Sequence, residues 1–136
     1  VTTELLSGDR SAVEEAARNI EQAARNRFDA GHVYMLESSS DRAYKVGYSV
    51  SPIDRLYAIR KQANDKSISY VGSIRGALRL DEYAIHRELD ELGLRWSGRY
   101  LGTFEWFHAT AELDVLADVL RGLSIERRNA RGFSYS

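Results

Sequence analysis

In the stretch YKVGYS, residues 44–49, Lys45, Gly47 and Ser49 alternate with Tyr44, Val46 and Tyr48. This is the pattern of a β-strand, whose successive side chains point to opposite faces. One face then carries bulk, and the other carries a cation beside a residue with no side chain. A glycine inside a strand often marks a close approach by a ligand or another backbone. A lysine next to such a gap is placed to meet a phosphate; the plainer alternative is an edge strand with an exposed lysine and a glycine bulge. Arg55 follows Ser51, Pro52 and Asp54, which together mark a helix start. A cation in a first helical turn opposes the helix dipole. An anion at that start would be favoured by backbone N–H groups, dipole and guanidinium together. Glu82 and His86 stand four apart and, on a helix, can touch the same object. Otherwise they form a surface carboxylate–imidazole contact of little energetic worth.

With 136 residues, 43% of them hydrophobic and 29% charged, the chain has room for one domain with its own core but not two. The formal net charge of -1 removes any global basic signature. The distribution is uneven. Arg55, Arg60, Lys61, Lys66, Arg75 and Arg79 face only Asp65 within residues 55–79, and Arg121, Arg127, Arg128 and Arg131 face Glu126 within 121–136. A locally basic surface can hold a polyanion although the total is near zero; a solvated charged face is the alternative. The chain has no cysteine, which excludes disulfides and thiol chemistry and limits any zinc site to His and carboxylates. That fits a reducing compartment, so a cytoplasmic setting is expected (nuclear in a eukaryote). No apolar run approaches the roughly 20 residues of a membrane span, so no membrane partner is expected.

The elements that must position these residues follow from periodicity. Val13, Ala16, Ala17, Ile20, Ala23, Ala24 and Phe28 predict a helix over 10–28, capped by Ser11 or Asp9 and ended by Gly31. Its stripe is alanine-rich and shallow, suited to close packing on the body or on a second copy as a homo-oligomer. A hairpin follows over 33–50, with ESSSDRA as its loop. A helix over 52–62 buries Ile53, Leu56, Tyr57 and Ile59. A third strand spans 67–74 and is broken by Gly76. A helix over 78–92 places Leu78, Ala84, Ile85, Leu89 and Leu92 inside. A glycine-rich loop, 93–103, leads to FEWF as a brief extended piece. Thr110 caps a last helix that Gly122 closes, and the basic tail is expected to be mobile.

Five short motifs in this order resemble the GIY-YIG nuclease superfamily, in the phage and bacterial branch whose second motif reads Lys-Ile-Gly. They are VYM with Tyr34, KVG with Lys45, PIDRL with Arg55, EYAIH with Glu82 and His86, and EWF with Glu105. The resemblance implies an α+β fold, a small three-stranded antiparallel sheet flanked by helices. It makes 1–30 an N-terminal helical extension, 31–122 the nuclease-like domain and 123–136 a tail. It implies a DNA endonuclease dependent on one divalent cation, Mg²⁺ or Mn²⁺, held by Glu82. Arg55 would bind the phosphate, Tyr34 or a water it orients would deliver the nucleophile, and His86 would position a water or the scissile group. Lys45 stands where many members have a tyrosine. It would lower the ionisation of Tyr34, bind phosphate, or merely cover the sheet. Arg60, Lys61, Arg75 and Arg79 would track DNA, and Tyr48 and Glu105 would support the site from behind. The alternative is a DNA-binding module of the same fold with little or no catalysis.

Overall fold

Two strands, β1 (His32–Ser38) and β2 (Ala43–Ser49), form an antiparallel hairpin in which Tyr34 pairs with Gly47 and Leu36 with Lys45. The structure is a computed structural model that describes residues 2–24, 31–39, 42–94 and 106–130, with the side chains of 2–3 and 127–130 excepted. Strand β3 (Ile68–Arg75) pairs antiparallel with the other edge of β1, with a register shift between Met35 and Leu36. A short strand β4 (Trp106–His108) pairs with β2 over residues 43–45 only. The sheet order is β3-β1-β2-β4. The antiparallel sheet flanked by helices is the expected architecture with one strand more, because the second half of FEWF extends β2 rather than standing alone. Residues 104 and 105 lie outside the described residues.

The alternation read from YKVGYS sorts the two faces. Val33, Met35, Tyr44, Val46 and Phe107 join one core with helices α1 (Arg10–Ala23), α3 (Arg79–Glu91) and α4 (Ala111–Ala130) and with a short 3-10 helix at Thr2–Leu6. Tyr34, Leu36, Ala43, Ile68 and Trp106 form a second, smaller core under α2 (Pro52–Ala63).

Helix α1 starts at Asp9, whose carboxylate accepts from the Ser11 N–H at 3.1 Å, and it is described as far as Ala23. Val13 and Ala17 are buried in the main core, so the shallow stripe is used within the chain. Arg18 clamps the helix to α4 through both oxygens of Glu126, at 3.0 and 2.7 Å. Gly31 does not cap this helix. It precedes β1, where a side chain would collide with the Tyr48 ring.

Helix α2 departs from expectation. Pro52, Leu56 and Ile59 are its buried residues, whereas Ile53 is 45% and Tyr57 60% exposed. Apolar residues at 53, 56, 57 and 59 fit two stripes one residue apart, and packing on the sheet selects the one that Pro52 continues. The Ser51 hydroxyl does not cap the helix. It donates to the Asp54 carboxylate at 2.7 Å, so a negative charge already sits at this helix start. On α3, Leu78 and Leu92 are likewise exposed rather than inside.

Thr110 caps α4 as expected, with Leu113 N–H donating to its hydroxyl at 3.3 Å. The helix then continues through Gly122 to Ala130, because a single glycine costs a helix only about 1 kcal/mol and Leu116, Ala117, Leu120 and Leu123 all lie in the core. Part of the segment expected to be a mobile tail is therefore helix. Two glycines give opposite expectations here. A Cβ on Gly122 meets nothing within 4 Å, so Gly122→Ala should raise stability by about 0.5–1 kcal/mol. A Cβ on Gly72 would lie 2.6 Å from the Leu120 carbonyl oxygen, which the α4 backbone holds rigidly. Gly72→Ala should lower stability by about 1–3 kcal/mol or more. Denaturant melts of the two variants, read against the parent, check both signs.

Candidate active site

Tyr34 lies on the α2 side of β1, flanked by Gly47 of β2 and Ser73 of β3. It is only 1% exposed. Its ring lies across Gly47 so closely that a Cβ there would sit 2.5 Å from Cζ. The gap beside Lys45 is therefore real, but the ring of Tyr34 fills it; it is not open to a substrate in this conformation. Lys45 is on the same face, diagonal to Tyr34, paired with Leu36 on one side and Trp106 on the other. It is 1% exposed, which removes the alternative of a solvent-facing edge lysine.

Because β4 stops pairing at Lys45, the outer edge of β2 beyond it is left to α3. There the His86 Nε2–H donates to the Val46 carbonyl at 2.7 Å, and the ring packs 5.2 Å from that of Phe107. Further up α3, the Arg79 guanidinium lies 4.9 Å from the centre of the Tyr48 ring. Glu82 falls between these two anchors, three residues after Arg79 and four before His86, on the side of the helix that meets the strand. It is 2% exposed. The surface-pair alternative for Glu82 and His86 thus fails: one is buried, and the other spends Nε2 on holding α3 to the sheet.

Tyr34 and Lys45 thus lie on the α2 face of the sheet, while α3, which packs in the core of the other face, carries the buried Glu82 and meets β2 through His86 at Val46. Arg55 is not drawn in. It stays exposed in the first turn of α2, beside the buried Leu56. Glu105 lies outside the described residues. Tyr48 is half-buried, pressed between Gly31 and Arg79.

The basic residues of 55–79 do not form one band. Arg60 and Lys61 end α2, and Arg60 Nε donates to the Ile68 carbonyl at 2.7 Å, at the start of β3. Arg75 ends β3, roughly 23 Å away along the strand, with Arg79 just beyond. In the C-terminal group, Arg121 is paired with Glu37 at 3.0 Å and Asp118 at 3.2 Å. The side chains of Arg127 and Arg128, and all of Arg131, lie outside the described residues.

One pairing was invisible in sequence. On the opposite face, the Tyr44 hydroxyl donates to Asp114 of α4 at 2.5 Å. Burial, helped by that carboxylate, pushes the ionisation of Tyr44 well above its usual range, so it is a neutral strut between β2 and α4. The partners are 70 residues apart, and no local pattern links them.

Among the described residues, no group of three or more His, Cys, Asp or Glu comes together that could hold a metal ion. Among the described residues, the candidate site offers one carboxylate, that of Glu82. This does not suit a cation caged by protein. It does suit Mg²⁺ bound through one carboxylate and completed by water and substrate phosphate. No helix among the described residues is long and apolar enough to cross a membrane.

Comparison with known proteins bears on the family. No curated protein and no solved structure matches the chain. A family profile, that of the T5orf172 domain, matches residues 31–124. The resemblance to the GIY-YIG superfamily is thereby overturned, since the family that matches is a different one. The matched stretch runs from the residue before β1 into α4 and contains the whole sheet, together with Tyr34, Lys45, Glu82 and His86. The chain belongs to the T5orf172 domain family.

Proposed function

We propose that this domain is a divalent-cation-dependent DNA endonuclease that hydrolyses phosphodiester bonds beside residues 45–48 of β2. The observation that carries this is the burial of Tyr34 on β1, Lys45 on β2 and Glu82 on α3, each no more than 2% exposed. Taking a lysine and a glutamate out of water is costly. Buried ionisable groups concentrate at functional sites.

The residue types divide the work of phosphodiester hydrolysis. Lys45 supplies positive charge for the phosphate oxygens as their charge grows. The Tyr34 hydroxyl, fixed by its ring against Gly47, orients the attacking water. Glu82 would hold the cation, with His86 fixing α3 to the strand at Val46. A bound divalent cation would neutralise charge on the phosphate and favour departure of the leaving oxygen. Arg55, which stays exposed in the first turn of α2, would meet bound DNA from outside this buried set. Water oxygen bonds to phosphorus as it gives up a proton to solvent, the bond to the 3′ oxygen breaks, and that oxygen takes up a proton from solvent.

A second reading is a DNA-binding module with little or no catalysis. It is favoured by the Tyr34 ring, which occupies the space over Gly47, so that substrate must displace side chains to reach the site. Supercoiled plasmid separates the two. Nicking or linearisation with Mg²⁺ or Mn²⁺ and none with EDTA is expected. Binding without cleavage under any divalent cation would leave only the module.

A further inference from the structure

The outer face of α2 holds features that the hydrolytic site does not use. Tyr57 is 60% exposed, and Ile53, one turn before it, is 45% exposed. Arg60 lies 5.8 Å from the Tyr57 ring centre. Its own Nε is fixed to the Ile68 carbonyl at 2.7 Å, so the guanidinium is a rigid neighbour on one side of the ring. Asn64, in the left-handed conformation at φ 49°, ends the helix and turns the chain back. The result is an open groove of about 520 Å³ lined by Tyr57, Arg60, Lys61, Asn64, Asp65 and Lys66. Its one acid is turned inward. Asp65 is 9% exposed and its Oδ1 accepts from the Ser67 N–H at 2.9 Å and from the Ser67 hydroxyl at 2.6 Å. The groove therefore presents an aromatic wall and cations.

We propose that an unpaired DNA strand docks in this groove, one base stacked on Tyr57 and its phosphates on Lys61 and Lys66. An aromatic platform beside cations is the combination that holds single strands without reading sequence, because every base has a π-face and every nucleotide a phosphate. A duplex offers its phosphates but keeps its bases stacked inside, so it cannot use Tyr57. The groove lies at the Ile68 end of the sheet. Ile68 pairs with Ser38, four residues along β1 from Tyr34, a separation of roughly 13 Å. A strand held here is within reach of the hydrolytic site. The proposal rests on the endonuclease reading for its choice of DNA, and it adds the form of the substrate: a junction, flap or gap with a single-stranded arm.

The test is fluorescence anisotropy of labelled oligo-dT and of a duplex of equal length, in EDTA, with the full chain. Tyr57→Ala should weaken oligo-dT binding by roughly 5- to 150-fold and change duplex binding little, whereas Tyr57→Trp should retain it. Lys61→Ala and Lys66→Ala should each flatten the salt dependence on oligo-dT by about 0.7 in the log–log slope. All three side chains are exposed, and thermal melts confirm that the variants fold. Unchanged oligo-dT affinity in Tyr57→Ala, an equal loss on duplex, or no binding of oligo-dT by the parent would each overturn the proposal; in the last case the groove belongs to another kind of partner. Because the assay contains no divalent cation, its outcome is independent of catalysis. A chain that binds oligo-dT through Tyr57 and never cuts refutes the endonuclease reading alone.

Discussion

Replacing Glu82 by glutamine should reduce DNA cleavage by roughly 10²–10³-fold or more while leaving DNA affinity within a few-fold of the parent, or tighter. Glutamine keeps the shape of the side chain and its place on α3 between the Arg79 and His86 anchors. What it loses is the negative charge, the one feature that a hard cation requires of its ligand. Because the site's other contributions are cationic and neutral, removing its carboxylate also lessens repulsion of the phosphate, hence the tighter binding. The comparison is made by plasmid nicking and by anisotropy on the same preparation. Equal nicking rates for Glu82→Gln and the parent would remove Glu82 from the reaction. A parallel loss of folding would be seen in the melt, and Glu82→Asp then serves as the second variant: it keeps the charge and shortens its reach, so partial activity is expected.

The second large effect is expected at Lys45. Lys45→Met keeps an unbranched side chain of similar volume at a position that is 1% exposed, and it discards only the charge. Cleavage at saturating DNA should fall roughly 10²–10³-fold, the loss typical of removing one electrostatic donor. Stability responds differently according to what Lys45 does. Exchanging a buried ionic group for a well-packed apolar one is often neutral or stabilising, whereas stranding a buried partner costs about 3–5 kcal/mol. The rate is therefore measured at a temperature where the melt shows the variant folded. A large rate loss in a folded Lys45→Met places the ammonium at the reacting phosphate. An unchanged rate with a lowered melting temperature shows a structural lysine that only ties the sheet together. The exposed residue Arg55 provides the contrast: Arg55→Ala should weaken activity without affecting stability, because its side chain is not part of either core.

Much of the scaffold was legible because it depends on neighbours in sequence. The alternation in YKVGYS sorted Lys45 and Gly47 from Tyr44 and Val46, and the two sets do lie on opposite faces. Thr110 and Asp9 are caps whose bonds close within three residues. The misreadings share a cause. Ile53 and Tyr57 fit a buried stripe of α2 as well as Leu56 and Ile59 do, until the sheet selects one stripe. Gly122 looks like a helix end until the core contacts on both sides of it are known. Short motifs of three to five residues, such as KVG and EYAIH, ordered the chain correctly, yet they pointed to a family other than the one whose profile matches residues 31–124. A few residues per motif carry too little information to choose between families that use similar residue types.

The sequence by itself determined the period of each element and hence which residues share a face, because side-chain direction follows from φ and ψ within a few residues. It therefore determined that Tyr34, Lys45 and Glu82 were available. Only the tertiary structure decided their surroundings: that Tyr34 lies over Gly47, that β4 stops at Lys45 and yields the strand edge to α3, and that His86 spends Nε2 on the Val46 carbonyl. It also decided that Tyr44 stands on Asp114, 70 residues away. These contacts join segments far apart in the chain, and their energies depend on burial and on the fit of whole elements, which no local pattern encodes.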